Sequence, residues 1–204
     1  MVLEKKVFNL RNSLEHKGYC EINNILHSHL LRFLKTGSKL LESDLTNEQI
    51  LLTQNEHIPS KNSLAQYSSF IGETLLLYLT PLYSKISGKN LIPTYSYYRK
   101  YLKNNVLKPH TDRPSCQYSA TIQIDSDKNK PWSIWIRSKL GEVVECTPEI
   151  GGIVFYKGIE VEHWREELKS DYSHHLFLHW VDKNDFTFNK HWYDGRKGLN
   201  TPKN

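Results

Sequence analysis

The segment that decides the fold is TYSYYRKYLKNNVLKPHTDRPSCQYSATIQI, residues 94–124. It begins and ends in short runs, 94–102 and 116–124, that are rich in tyrosine, threonine and isoleucine. Such residues favour β-strands. Between the runs lies a turn that carries His110 and Asp112. We therefore expect two strands that lead into and out of a His-x-Asp turn.

Five similar runs follow this segment and are separated by turn residues. Together they give seven strand candidates in about ninety residues, which is typical of a sandwich or barrel. The strands follow the helices instead of alternating with them, so a parallel βαβ sheet is disfavoured. The further runs are WSIWIR (132–137), EVVEC (142–146), GIVFYKG (152–158), EVEHWR (160–165) and HHLFLHWVD (174–182).

The first 91 residues predict helices that support the strand-rich part. Apolar residues recur at helical spacing, and glycines supply the stops. The expected elements are a helix ending at Gly18, a strand over 19–22, a helix capped by Asn23 or Asn24 and ending at Gly37, a loop over 38–62, and a long helix from Ser63 to Gly88. In the long helix we expect a kink or restart at Pro81 and an inward face made of Leu64, Tyr67, Phe70, Ile71, Leu75, Tyr78 and Leu79.

Length and composition place the chain among globular proteins of one domain. The 204 residues are 38% hydrophobic and 24% charged, which excludes a disordered or low-complexity chain. No apolar run approaches the ~20 residues that a membrane-spanning helix needs. We predict one domain over 1–204, with helical support over 1–91, a β core over 92–182, and a C-terminal tail over 183–204 that frays.

The charge and the cysteine content indicate which binding partners and which cellular compartment to expect. The net charge of +5 comes from scattered lysines, which favours a solvated surface over a nucleic-acid footprint. The three cysteines form no CxxC pair, and the N-terminus lacks the pattern of a signal peptide. We therefore expect a cytoplasmic protein without a membrane partner. The oligomeric state stays open.

A candidate metal site is formed by His110, Asp112 and His163. In an extended segment residues i and i+2 point to the same side, so His110 and Asp112 can reach one ion. A lone His-x-Asp is weak evidence, but the later strand EVEHWR brings a third candidate ligand, His163. The three can meet only if the sheet folds over itself, as in a jelly roll. Two imidazoles and one carboxylate on one face leave coordination positions open, as in non-haem Fe(II) oxygenases.

The order of these motifs over residues 92–182 resembles the Fe(II)/2-oxoglutarate-dependent dioxygenases, particularly the small prolyl-hydroxylase-like members of bacteria and phages. The resemblance implies a double-stranded β-helix core, with Fe(II), 2-oxoglutarate and O2 as cofactor and cosubstrates. It implies oxidative decarboxylation of 2-oxoglutarate coupled to hydroxylation. The carboxylate of Asp112 takes a position that a halogenase leaves to halide, so hydroxylation is favoured over halogenation, while desaturation and cyclisation stay open.

The chain departs from the family at the residue that holds the distal carboxylate of 2-oxoglutarate. Relatives use an Arg or Lys on the last core strand, but this chain has neither in residues 171–175. We assign the role to Arg165, which shares the inward face of His163. The alternative is that Arg165 pairs with Glu162 or Glu166 at the barrel rim.

Three further residues are candidates for contacts in the cavity. Tyr101 resembles a tyrosine that meets the cosubstrate in many relatives, but it equally suits an aromatic core position. Arg113 is predicted to face the cavity mouth and meet an anionic substrate, unless it is an ordinary surface arginine. His179 is predicted to line the substrate pocket, unless it is a hydrogen-bonded core histidine.

The sequence leaves the substrate unidentified, as a peptide, an amino acid or another small metabolite. Two alternatives to a hydroxylase stay open. One is a non-catalytic metal-binding or interaction domain with the same jelly roll, favoured by the missing Arg or Lys. The other is a nucleic-acid-directed oxygenase, favoured by the positive charge.

Overall fold

The computed structural model describes residues 2–44 and 63–202. In chain order the helices and strands are α1 (Val2–Lys17), β1 (Tyr19–Ile22), α2 (Ser28–Asp44), β2 (Leu64–Tyr67), α3 (Phe70–Ser87), β3 (Leu91–Leu102), β4 (Leu107–His110), β5 (Tyr118–Ser126), β6 (Ile134–Arg137), β7 (Val143–Cys146), β8 (Ile153–Tyr156), β9 (Glu162–Arg165) and β10 (Tyr172–Asp182). A run of 3-10 turns over Phe186–Gly195 follows β10.

The strands form two antiparallel sheets that face each other. The larger sheet has the order β1-β8-β5-β10-β3-β2, and the smaller has the order β4-β9-β6-β7. Strands β3 to β10 cross repeatedly between the two sheets, which is the arrangement of a jelly roll. The predicted fold class, a mainly β protein with a double-stranded β-helix core and N-terminal helices, is confirmed, and all seven strand candidates are strands.

The alternation of side chains along β10 separates a hydrophobic layer from a polar interior. Leu176, Leu178 and Trp180 pack into the main core cluster together with apolar residues of the helices. The residues between them, such as Phe177 and His179, face the space between the sheets and line a cavity there. This follows from the two-residue period of a strand. The helices therefore cover the outer face of the larger sheet and leave its inner face for the site.

The predicted end of the second helix at Gly37 is wrong, because α2 continues to Asp44. A Cβ atom at Gly37 would lie 2.1 Å from Cδ1 of Ile71 in α3. The glycine thus permits close packing of two helices instead of stopping one. The helix also begins at Ser28, after the predicted caps Asn23 and Asn24. Of the predicted loop over 38–62, residues 38–44 are helical and the rest lies outside the described residues.

The predicted long helix from Ser63 is wrong at its start. Residues 64–67 form strand β2, which pairs with β3 at the edge of the larger sheet. The helix α3 begins after Ser69, whose Oγ accepts a hydrogen bond from the Gly72 N–H at 3.2 Å. This later start turns Phe70 and Tyr78 to the surface, where they are 73% and 66% exposed, so their predicted inward orientation is wrong. Of the other predicted inward residues, Leu75 and Leu79 are buried.

Other predicted boundaries have mixed outcomes. Gly88 ends α3 in the left-handed conformation with a φ of 68°, as predicted. Pro81 lies inside α3, which neither restarts nor ends there.

The expectation of a fraying C-terminal tail is wrong, because Asp194 and Arg196 are buried at 5% and 6% exposure. Among the described residues, no helix is long and apolar enough to cross a membrane.

Candidate metal and cosubstrate site

The two candidate histidine ligands lie opposite each other on adjacent strands of the smaller sheet. His110 at the end of β4 pairs with His163 on β9, and their ring centroids are 4.4 Å apart. Asp112 follows β4 by two residues, and its backbone N–H donates to the Gly158 carbonyl oxygen at 2.8 Å. Strand pairing therefore brings together three residues that the sequence separates by up to 53 positions.

The donor atoms of these residues converge. Oδ1 of Asp112 lies 3.8 Å from Nε2 of His110 and 3.6 Å from Nε2 of His163. The Nδ1 atoms lie 2.8 Å and 3.1 Å from the carbonyl oxygens of Lys108 and Val161. A carbonyl only accepts, so each Nδ1 carries the proton and each Nε2 presents a lone pair. Burial also lowers the pKa of His110, which favours the neutral imidazole that binds metals.

Arg165 lies deep between the sheets with an exposed fraction of 3%. Its Nη1 donates to the Trp132 carbonyl oxygen, and its Nη2 donates to Oγ1 of Thr121 at 3.0 Å and to Nδ1 of His175 at 3.4 Å. Its buried Nε has no hydrogen-bond partner among the described residues. Burial lowers the pKa of Arg165 to about 10, so the guanidinium stays charged at neutral pH.

The alternative placement of Arg165 at the barrel rim does not agree with its contacts. Glu162 pairs instead with Arg137 at 3.1 Å, and Oε1 of Glu166 accepts from the Trp164 indole at 2.9 Å. Within residues 2–44 and 63–202, no carboxylate lies at ion-pairing distance from Arg165. Arg165 is thus a buried cation whose charge is not balanced by those residues.

A cavity of about 450 Å³ opens beside the three candidate ligands. Tyr101 lines it and lies edge-on to the Trp132 ring at 4.9 Å. Arg113 also lines the cavity, but its guanidinium is held by Asp194 through hydrogen bonds of 2.6 and 2.9 Å. His179 lines the cavity as well, and burial lowers its pKa to about 4. The predicted roles of these three residues stay predictions.

Two residues of the site were not predicted from the sequence. Ser119 donates to Oδ2 of Asp112, and Asp194 holds Arg113 from the C-terminal segment. The alternation of Ser119 with Thr121 could have indicated that Ser119 points inward, but no local signal indicates the role of Asp194.

A second set of possible metal donors lies beside the first, formed by Asp112, Cys116 and His179. The Ser119 hydroxyl lies within this set, 2.9 Å from both Oδ2 of Asp112 and Nδ1 of His179. Sγ of Cys116 lies 3.1 Å from the Tyr95 hydroxyl, so all three residues already have hydrogen-bond partners, and we interpret the set as part of a polar network.

Comparison with known proteins finds solved structures of similar fold. No family model matches the sequence, and no curated protein does. Among solved structures, a prolyl-4-hydroxylase from Pseudomonas putida is similar, with a TM-score of 0.63 and 13% identity over 85% of this chain and 98% of that one.

Two other solved structures are similar as well. A prolyl hydroxylase from Trichoplax adhaerens, in complex with a hypoxia-inducible-factor peptide, has a TM-score of 0.68 and 15% identity over 91% of this chain and 93% of that one. HygX from Streptomyces hygroscopicus, with nickel, 2-oxoglutarate and hygromycin B bound, has a TM-score of 0.65 and 10% identity over 86% and 87%. The resemblance predicted from the sequence is therefore confirmed for the fold.

Proposed function

We propose that this chain, which has the fold of the Fe(II)/2-oxoglutarate oxygenases, is an Fe(II)- and 2-oxoglutarate-dependent dioxygenase that hydroxylates a small-molecule or peptide substrate. The observation that carries the proposal is the convergence of His110, Asp112 and His163 in the wall of one cavity. Both histidines present Nε2 lone pairs toward the carboxylate.

This donor set fits Fe(II). Two imidazole nitrogens and one carboxylate oxygen, all on one side of the ion, leave positions for a cosubstrate and O2. His110, Asp112 and His163 would hold the metal. When bound, Fe(II) supplies the redox chemistry by which O2 and 2-oxoglutarate give succinate, CO2 and one oxygen atom inserted into a C–H bond of the substrate.

Arg165 is proposed to bind the distal carboxylate of 2-oxoglutarate. A buried cation without a counterion costs several kcal/mol, so an anion is expected to bind near it. The unpartnered Nε offers a hydrogen-bond donor, and Thr121 and Trp132 fix the orientation of the guanidinium. Tyr101, which lies in the cavity wall near Arg165, is proposed to contact the same cosubstrate.

The cavity accommodates a small molecule or a single side chain of a peptide. Its volume of about 450 Å³ lies within the usual range for ligand pockets. Arg113 and His179 stand in its wall as proposed substrate contacts. Because Asp194 already holds Arg113, an anionic substrate would compete with that carboxylate for the guanidinium.

The proposal is tested by anaerobic addition of Fe(II) and 2-oxoglutarate to the purified protein. We expect a weak visible charge-transfer band, and release of succinate when O2 is admitted. His110→Ala and Asp112→Ala should both lose the band, whereas His16→Ala, at an exposed position in α1, should keep it. A band that survives in either ligand variant would contradict the assignment of the metal site.

Succinate formation also separates this function from a non-catalytic jelly roll. A dioxygenase of this type should form succinate slowly even without substrate, whereas a domain that only binds metal should form none. A nucleic-acid-directed enzyme would in addition bind nucleic acid with a steep dependence on salt.

A further inference from the structure

The carboxylate of Asp112 has two oxygens in different surroundings. Oδ1 lies toward the two histidines, at 3.8 Å from His110 Nε2 and 3.6 Å from His163 Nε2. Oδ2 accepts a hydrogen bond from Oγ of Ser119 at 2.9 Å. One oxygen is therefore available to a metal, and the other is held by the protein.

The Ser119 hydroxyl is itself held by a histidine. Its Oγ lies 2.9 Å from Nδ1 of His179, and both side chains are buried. A hydroxyl has one proton, and the Asp112 carboxylate is a stronger acceptor than the Cys116 carbonyl oxygen, which lies farther away at 3.3 Å. When Ser119 donates to Asp112, Nδ1 of His179 must donate to Ser119. His179 thus donates a hydrogen bond to Ser119, and Ser119 donates one to Asp112.

A glycine allows the carboxylate to sit this close to the chain. A Cβ atom at Gly158 would lie 2.4 Å from Oδ2 of Asp112 and 2.8 Å from Oγ of Ser119. The Gly158 carbonyl oxygen also accepts the Asp112 backbone N–H at 2.8 Å. The backbone and the carboxylate of Asp112 are thus both fixed against the turn that follows β8.

We propose that Ser119 and His179 form a positioning pair that holds Oδ2 of Asp112 and leaves Oδ1 alone to bind the metal. The inference rests on the proposed function, since it concerns the same metal ligand. A carboxylate that binds through one oxygen occupies one coordination position, and so it preserves the open positions that the reaction needs. Hydrogen-bond partners of metal ligands set metal affinity in this way, and their loss costs about 10–100-fold.

The first test is Ser119→Ala, with Co(II) titrated anaerobically as the probe. Without the hydroxyl, the carboxylate loses its partner at Oδ2, so we expect Co(II) to bind about 10–100-fold more weakly. The visible Co(II) spectrum should also change as the carboxylate rotates. The matched control is Ser96→Ala, because Ser96 is equally buried on β3 and its Oγ has no partner among the described residues.

The second test compares His179→Asn with His179→Leu. An asparagine amide can place an N–H close to the position of Nδ1, whereas leucine has no donor. We expect Co(II) affinity near that of the unchanged protein for Asn, and a loss for Leu similar to that of Ser119→Ala. This pair keeps the proposal testable if Ser119→Ala fails to fold.

Co(II) binding by Ser119→Ala with the affinity and spectrum of the unchanged protein would overturn the positioning pair. Equal affinities of the Asn and Leu variants at position 179 would overturn it as well. The proposed function fails in a different way. If Co(II) binding depends on Ser119 but no succinate forms from 2-oxoglutarate, the positioning pair stands and the dioxygenase assignment does not.

Discussion

Arg165 is the residue at which this chain departs from the pattern it resembles. The last core strand, β10, offers Ser173 and His175 where the resemblance implies a cationic residue. Burial holds the pKa of His175 well below its usual value, so this residue is neutral and cannot replace the cation. The guanidinium of Arg165 reaches His175 from β9, with Nη2 3.4 Å from Nδ1. The positive charge in this part of the barrel is therefore supplied by β9 of the smaller sheet.

We predict that Arg165→Ala raises the Michaelis constant for 2-oxoglutarate by at least ~10-fold, since lost charge-assisted hydrogen bonds are worth roughly 1.5–3 kcal/mol. Arg165→Lys should recover only part of this, because lysine offers a point charge in place of a fork. The measurement is the initial rate of succinate formation against 2-oxoglutarate concentration. Co(II) affinity should stay unchanged, and Arg137→Ala, on the exposed side of the same sheet, is the control. Unchanged saturation in Arg165→Ala would mean that another residue holds the carboxylate, and the next variants would be at Arg113, which is charged, and at His175, which as a neutral group could only add a hydrogen bond.

The strands could be predicted from the sequence because their signals are local, and the approach of the three candidate ligands could be predicted from their places on those strands. Alternation with a period of two identifies a strand and the face of each residue. That rule puts His110 and Asp112 on one side of the chain, and a sheet that folds over itself brings His163 beside them, so the three remain candidate ligands. The charge network around Arg113 could not be predicted, because its partner Asp194 lies 81 positions away.

The helical elements show why local signals fail elsewhere. A glycine in a helix costs about 1 kcal/mol relative to alanine, so the sequence predicts that the second helix ends at Gly37. At Gly37 the absence of a side chain leaves room for Cδ1 of Ile71 in α3, and the packing of the two helices offsets the local cost. Similarly, residues 64–67 fit a helical or a strand pattern, and pairing with β3 decides for the strand.

The contact between α2 and the larger sheet includes a buried histidine that should make stability depend on pH. His174 lies 3.2 Å from Glu42 and 3.3 Å from the Tyr98 hydroxyl. Burial outweighs the nearby carboxylate and lowers the pKa of His174 to about 4. In the unfolded chain the pKa is about 6.5. Between these values the unfolded state binds more protons, so stability falls as the pH falls.

We predict that His174→Gln reduces the loss of stability between pH 6.5 and pH 4 by up to roughly 3 kcal/mol, since each pKa unit is worth about 1.4 kcal/mol. The measurement is the free energy of unfolding in urea at several pH values. His16→Gln, in an exposed position, is the control and should leave the pH dependence as it is. If His174→Gln and His16→Gln give the same pH dependence, His174 is not the titrating group.

At the scale of the whole molecule, the C-terminal segment joins the helices to the cavity. Asp194 accepts from Arg113 and from the Tyr67 hydroxyl, the latter at 2.6 Å. Two residues later, Arg196 pairs with Glu73 of α3 at 2.6 Å, and both side chains are almost fully buried. The residues on either side of Gly195 thus connect one wall of the cavity to the helical layer.

This connection should be essential to stability, because Glu73 would be left as a buried charge without Arg196. Breaking one side of a buried ion pair typically costs about 3–5 kcal/mol, whereas replacing both partners by apolar residues is often nearly neutral. We therefore predict that Arg196→Ala lowers the free energy of unfolding by about 3–5 kcal/mol, and that the double variant Glu73→Met with Arg196→Met loses much less. Lys197→Ala, at the exposed neighbouring position, is the control. Urea unfolding measures all three. If Arg196→Ala costs no more than Lys197→Ala, the segment does not depend on this pair, and the hydrogen bonds of Asp194 would have to hold it against the cavity.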